Sequence, residues 1–423
     1  MTLPVLVAVP GPAESRLLAG WEPLRREVVV VRRCADVADV LAAVGAGLAR
    51  AVVLGAELPG CDTEVLDVLR RQGVGVVVLL PVGAAGEEWE RRWRGLGATR
   101  FVVEDRPPAE VAREVATAAV AQEPVPPTER ELHGEDGLDL TGAPGRTVAV
   151  WGPHGSCGRT TVAVNVAAEL TVAGRSVLLV DADTRGASVG QVLGLLDDAP
   201  SLLACVRAAA DGRLDASGLA ARAARVDPGL AVLTGAVDSA RWAELRPAAL
   251  RRVLEVGSLA HDWTVVDLAG GSDDLAEESG RDAVLATVMG AADVVLVVGT
   301  ADPVGLQRFA RTWLQLGDLA PEALVVPVVT RLRSSAVGAP PERRVAQLLR
   351  RAAGVEGVWT VPDDRAVDEA LLAGRALGEH ASRSAARVVL RDLAGHVEDV
   401  ADAPEPLPAL HPTTGFDPLL ARS

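Results

Sequence analysis

Two patterns alternate along the first 120 residues: short runs of valine, leucine and alanine, and longer stretches whose apolar residues recur at helical spacing. The runs Val5–Val9, Val28–Val31, Ala51–Leu54, Val74–Leu80 and Arg100–Val103 predict strands. Helices are predicted near Ala35–Ala49, Thr63–Gln72, Glu87–Gly97 and Pro108–Ala121. Apolar runs without polar alternation are strands buried on both faces, so the expected sheet is parallel with helices on each side. Residues 122–146 hold Pro124, Pro126, Pro127 and Pro144 among charges and glycines, a composition that reads as a linker. A second α/β segment is expected over 147–397, and the five prolines of 398–423 predict a disordered tail. The predicted organisation is therefore α/β in two domains, 1–121 and 147–397.

Five βα units of this length resemble the receiver domain of response regulators. That resemblance implies an acidic pair after the first strand, a phosphoacceptor Asp after the third and a Lys after the fifth. Those places hold Pro10-Gly11, Gly55-Ala56 and Glu104-Asp105. Without a carboxylate cluster there is neither a Mg2+ site nor a nucleophile, so docking or dimerisation is the expected role.

Of the 423 residues, 49% are hydrophobic and 23% charged, enough apolar side chains for two sizeable cores. The balance of 42 basic and 57 acidic residues gives −15, which excludes a nucleic-acid or anionic-membrane coat over the whole surface and leaves only a local basic patch. All 42 are arginine; lysine, isoleucine and tyrosine are absent and Asn165 is the single asparagine. The missing types share AT-rich codons, so a GC-rich genome explains them, and an arginine at a lysine position can reflect that bias. Cys34, Cys61, Cys157 and Cys205 show neither zinc-site nor disulfide spacing. No apolar run reaches the ~18 residues of a membrane span, and Met1–Pro12 reads as a strand start, not a signal peptide. A cytoplasmic protein is expected, peripheral at the inner face of a membrane only through a partner.

The most specific chemistry lies at the start of the second segment. Thr147–Trp151 predicts a strand and Thr161–Leu170 a helix, joined by Gly152-Pro153-His154-Gly155-Ser156-Cys157-Gly158-Arg159-Thr160. A glycine-rich strand-to-helix turn presents backbone N–H groups to phosphate at a helix N-terminus. Against the P-loop pattern GxxxxGK[ST], Arg159 takes the lysine place, Thr160 the Mg2+-ligand place and Pro153 that of the first glycine. Arg175–Val180 leads into Asp181-Ala182-Asp183, and Asp262–Val266 ends at Asp267, so both strands bring carboxylates to their C-terminal ends. Strands are also expected at Asp293–Val298, at Leu324–Val329 and before Pro362-Asp363-Asp364.

This order of loop, DxD and strand-terminal Asp closely resembles the deviant Walker A ATPases of the MinD/ParA family over residues 147–380, with His154–Thr161 at the place of KGGxGKTT. The resemblance implies ATP and Mg2+ as cofactors. Arg159 and the amides of Gly155, Ser156, Cys157 and Gly158 would hold phosphates, with Thr161 on the α-phosphate. Thr160 and Asp267 would hold Mg2+ directly or through water, with Asp181 near the metal, and Asp183 would orient or activate the attacking water. His154 stands where the family's lysine reaches across the dimer. Thr330, at the place of an adenine-recognising Asn, falls on the base side with Arg331 and Pro362. A receiver-like domain, a linker and such an ATPase is the layout of CpaE/TadZ proteins, which position pilus machinery and have relatives labelled septum-site or partitioning factors. It implies a homodimer on ATP binding and a protein partner at a pole, septum or secretion or pilus machinery. A guanidinium is wider and planar where an ammonium is compact, and Pro153 removes one amide, so ATP binding with slow or absent hydrolysis is expected. A silent scaffold is the alternative. A DNA-partition ATPase, suggested by Arg331, Arg333, Arg343, Arg344, Arg350 and Arg351 against Glu342, is disfavoured by the net charge.

Overall fold

The computed structural model describes residues 2–120, 144–195, 200–272, 280–320 and 323–401. These form two compact units, each with its own sheet; residues 207–218 group with the first.

In the first unit the strands are β1 (Leu3–Ala8), β2 (Val28–Arg33), β3 (Ala51–Gly55), β4 (Gly75–Leu80) and β5 (Phe101–Val103). They pair in parallel in the order β2-β1-β3-β4-β5, a doubly wound arrangement. Successive side chains go to opposite faces, so the apolar runs of β1, β3 and β4 feed two cores. Strand β2, at the sheet edge, buries only Val28 and leaves Val29 and Val31 exposed, against the expectation of two-sided burial. Leu6, Val52 and Val78 pack with Leu69 and Trp93, while Val5, Val53 and Val77 pack with Trp21, Val111 and Val115. The helix Pro12–Trp21 was not among the predicted elements. Proline opens its first turn, and the buried Trp21 donates from Nε1 to Pro108 O at 3.0 Å. At the end of β3 a Cβ on Gly55 would come within 2.6 Å of the Pro10 ring, and Glu104 is paired with Arg16 at 2.7 Å.

The second unit contains β6 (Arg146–Trp151), β7 (Val177–Ala182), β8 (Ala224–Asp227), β9 (Leu230–Leu233), β10 (Trp263–Leu268), β11 (Val294–Thr300), β12 (Leu324–Leu332) and β13 (Trp359–Pro362). Their order is β13-β12-β11-β6-β10-β7-β9-β8, parallel except for β8 on β9. The four-residue strands β8 and β9 are too short to stand out in the sequence. From β6 the chain builds one side of the sheet through β10, then crosses to build the other from β11. The turn after β6 therefore opens where the winding direction reverses, the usual ligand crevice of such sheets.

Two predicted boundaries move. Arg146 belongs to β6, not to the linker, and the helix Ala385–Ala401 takes in Glu398–Ala401, which composition alone assigned to the tail. Val400 and Ala401 are buried, so the apolar spacing of that helix outlasts the predicted boundary. Residue 121, linker residues 122–143 and tail residues 402–423 lie outside the described residues.

The helix Arg159–Val172 follows the glycine-rich turn and is buried on nearly every side between the sheet and the helix Ala385–Ala401. Its two buried polar side chains fix it. Asn165 donates to Thr161 O at 2.8 Å and accepts from Leu377 N at 2.7 Å. Glu169 accepts a fork from Arg387 at 2.7 and 3.2 Å.

Asp364 ties two helices together, accepting from Ala366 N and from Ala386 N at 3.0 Å each. These amides, that of Ala386 foremost, hold its carboxyl below the usual carboxylate range. The stabilisation is thus complete above the unfolded-state pKa of about 3.9 and is lost as pH falls through the lower folded value. Asp364→Ala should cost about 1–2 kcal/mol in urea unfolding at pH 7 and clearly less at pH 3; an equal loss at both would contradict the capping role.

Candidate functional site

The turn from β6 into the helix Arg159–Val172 is shaped by backbone contact. A Cβ on Gly152 would meet Val298 O at 2.1 Å, so the loop starts pressed against β11. Gly155 (φ +108°) and Gly158 (φ +87°) adopt the left-handed region that favours glycine. Gly271 N donates to Gly152 O at 2.8 Å and Cys157 N to Gly155 O at 3.0 Å. The Thr330 hydroxyl, buried beneath the loop, lies 2.8 Å from Cys157 O and 3.2 Å from Gly299 O. His154, Gly155 and Ser156 form the exposed rim, whereas Cys157 is buried and its thiol pKa is raised by that burial. The first turn of the helix, at Arg159, Thr160 and Thr161, carries amides without intrahelical partners, and these could take a phosphate.

Below the loop two carboxylates meet. Asp181 on β7 and Asp267 on β10 are partners in parallel register, each 1% exposed. Thr160 Oγ1 donates to Asp267 Oδ2 at 2.6 Å, and Ser188 Oγ lies 3.2 Å from the same hydroxyl. Asp181 accepts from Val189 N at 2.9 Å. Burial pushes Asp181 up to about 7; burial, then the neighbouring Asp181, raises Asp267 well above the usual carboxylate range. Asp267 Oδ1 is buried with no hydrogen-bond partner among the described residues. A threonine hydroxyl beside an unpartnered carboxylate oxygen fits Mg2+, which uses one or two carboxylates and fills its shell with water and phosphate oxygens.

Arg159 is turned inward. Its Nε donates to Leu268 O at 3.0 Å, and Nη1 to Pro153 O and Gly155 O at 2.8 and 3.1 Å. Its Nη2 lies 3.9 Å from Asp183 Oδ2. The other oxygen of Asp183 accepts from Arg185 N and Gly186 N at 2.7 and 2.9 Å. The segment after β10 closes over this arrangement: a Cβ on Gly270 would lie 2.5 Å from Arg159 Nη1, and one on Gly271 2.1 Å from His154 Nε2.

The structure thus gathers the loop residues with Thr160, Asp181, Asp183 and Asp267. Thr330 supports the loop from below. Arg331, exposed, is the sole non-glycine residue with positive φ (54°) among the described residues, at the irregular end of β12; Pro362 pairs beside it with Leu332. Ser188 and Arg308 were not singled out in the sequence. Ser188 follows the DxD turn, whereas Arg308 lies on the helix Pro303–Leu314 and belongs to no motif.

Residues 145–207 match the ParA family model, described as NUBPL iron-transfer P-loop NTPase. No curated protein sequence matches the chain. A ParA family ATPase from Chlorobium tepidum TLS superposes with a TM-score of 0.50 at 20% identity, covering 59% of this chain and 99% of that one. The second unit has the P-loop NTPase fold. The cell division ATPase MinD of Pyrococcus furiosus aligns at 23% identity with a TM-score of 0.49, over 60% of this chain and 99% of that one. Cobyrinic acid a,c-diamide synthase of Mycobacterium smegmatis, whose structure holds an ATP analogue and magnesium, aligns at 22% with a TM-score of 0.47, over 63% and 100%.

The bracing by Thr330 is testable without ligand. Thr330→Val should speed hydrogen exchange at the amides of residues 154–158, while Thr330→Ser keeps native protection. Unchanged protection in the valine variant would show that the hydroxyl does not hold the loop.

Proposed function

We propose that the second unit binds Mg-ATP and works as a nucleotide-dependent localisation protein of the MinD/ParA type. In this reading ATP drives homodimerisation and the dimer recruits a protein partner at a pole, septum or secretion or pilus machinery. The observation that carries the reading is the 2.6 Å bond from Thr160 to the buried Asp267, whose other oxygen is unpartnered, at the foot of a braced glycine-rich loop. Mg2+, when bound, would supply positive charge that neutralises the phosphates. Thr160 and Asp267 would hold it directly or through water, with Asp181 near the metal.

The amides of residues 155–161 cradle the phosphates, and Asp183 orients the attacking water. Thr330, Arg331 and Pro362 line the base side, Thr330 through the loop it supports. His154, on the exposed rim, faces the partner protomer. The first unit serves docking or dimerisation. No described helix is long and apolar enough to cross a membrane, so the reading routes any membrane association through the partner.

Hydrolysis is expected to be slow. Three carbonyls occupy the Nε and Nη1 donors of Arg159, and those bonds must be exchanged before the guanidinium can follow charge onto the leaving phosphates. A DNA-binding partition role is a second reading, favoured by one observation. Arg343, Arg344, Arg350 and Arg351 are all exposed on the helix Pro341–Ala353 and pair with no carboxylate among the described residues. Duplex-DNA binding that falls steeply with salt would select it.

Titration calorimetry and phosphate release on the purified protein test the first reading. Mg-ATP should bind, turnover should be slow, and Asp183→Ala should abolish turnover while leaving binding within a few-fold. Absence of Mg-ATP binding by the unaltered protein would overturn it.

A further inference from the structure

The loop's own cation is committed to the loop, so a bound polyphosphate needs positive charge from elsewhere. We propose that Arg308 supplies it, as a phosphate-contacting residue at the mouth of the loop; the assignment rests on reading that loop as a nucleoside triphosphate site. Arg308 Nη1 lies 3.5 Å from His154 O and 3.4 Å from where a Cβ on Gly155 would stand. That places the guanidinium against the rim residues of the loop, on the side facing β11.

The helix that carries it is held firmly. Asp302 caps its start, accepting from Val304 N and Gly305 N at 3.1 and 2.9 Å, and Thr300 Oγ1 donates to the other carboxylate oxygen at 2.7 Å. Phe309, next to Arg308, is fully buried against Gly299, where a Cβ would meet its ring at 2.6 Å, and it stacks on Trp313. The backbone bearing Arg308 is therefore positioned by a packed core, while its side chain is exposed.

Among the described residues, Arg308 carries its charge free of any acid, unlike two arginines near the loop. Arg333 has Asp363 at 3.6 Å and Arg159 has Asp183 at 3.9 Å, but no carboxylate lies within ion-pair distance of Arg308 among the described residues. A guanidinium has five N–H donors, and one long contact to a carbonyl leaves the remainder for an anion. The planar fork matches phosphate oxygens, and such charge-assisted bonds are about twice as strong as neutral ones. Where Arg159 braces the loop from inside, Arg308 offers the accessible positive charge at its rim.

Calorimetric titration of ATP, ADP and AMP with Mg2+, at low and moderate salt, tests the assignment on the full chain. Arg308→Gln should weaken ATP about tenfold or more, the scale of one charge-assisted bond. It should weaken AMP far less and flatten the salt dependence, and Arg308→Lys should keep most of the affinity. The side chain is exposed, so thermal melting without nucleotide should match the unaltered protein. Equal losses for all three nucleotides, or unaltered ATP affinity in Arg308→Gln, would overturn the role of Arg308 while leaving the site intact. Failure of the unaltered protein to bind any of the three would overturn the site itself and this assignment with it.

Discussion

Two carboxylates buried side by side set the terms for everything around the crevice. Asp181 and Asp267 are register partners on adjacent strands, each 1% exposed, and like charges so placed cannot both ionise without a counter-charge. The sheet order creates the problem by inserting β10 between β6 and β7, which also brings Asp267 under the loop that leaves β6. It creates the remedy in the same place: the Thr160 hydroxyl and the Val189 amide each satisfy one carboxylate, and one Asp267 oxygen is left unpartnered. The retained acids make sense as a cation site, the loop above them as an anion site, and the two together as a place for a metal-bound phosphate chain.

The absence of lysine reshapes that site. A lysine ammonium is a point charge on a flexible stem, whereas the Arg159 guanidinium is a flat fork that bonds several carbonyls at once. Here it bonds those of Pro153, Gly155 and Leu268, linking two points of the loop's first half to the end of β10. The consequence is a stiffened loop whose internal cation is engaged before any phosphate arrives. Positive charge at the mouth then falls to an exposed arginine on a different helix, held in place by Asp302 and Phe309.

Much of this architecture was legible in the chain because continuous valine-rich runs report two-sided burial. All five strands of the first unit were located by their apolar runs, as were β6, β7, β10, β11, β12 and β13, although the valines of β2 lie at a sheet edge where Val29 and Val31 are exposed. The helix Pro12–Trp21 was missed because its two buried residues, Leu17 and Trp21, are one turn apart and too few to set up a periodicity. Strands β8 and β9 escaped because four residues cannot display a pattern. In the site, the loop and the strand-end acids were readable because their chemistry is local in sequence. Arg308 was not, since nothing near it in the chain marks it; only the pairing of β11 with β6 brings its helix to the loop. Thr330 was assigned from alignment to the base side, and its hydroxyl contact with Cys157 O could be found only in three dimensions.

Asp267 serves a divalent cation at the expense of the stability of the unliganded fold. Melting of the unaltered protein and of Asp267→Asn, each without nucleotide, with Mg-ATP and with ATP plus EDTA, tests this most directly. The neutral isostere should melt higher than the unaltered protein without nucleotide, and should lose the extra stabilisation that Mg2+ adds to ATP. A variant that melts lower without nucleotide, or that keeps the full Mg2+-dependent gain, would contradict the account.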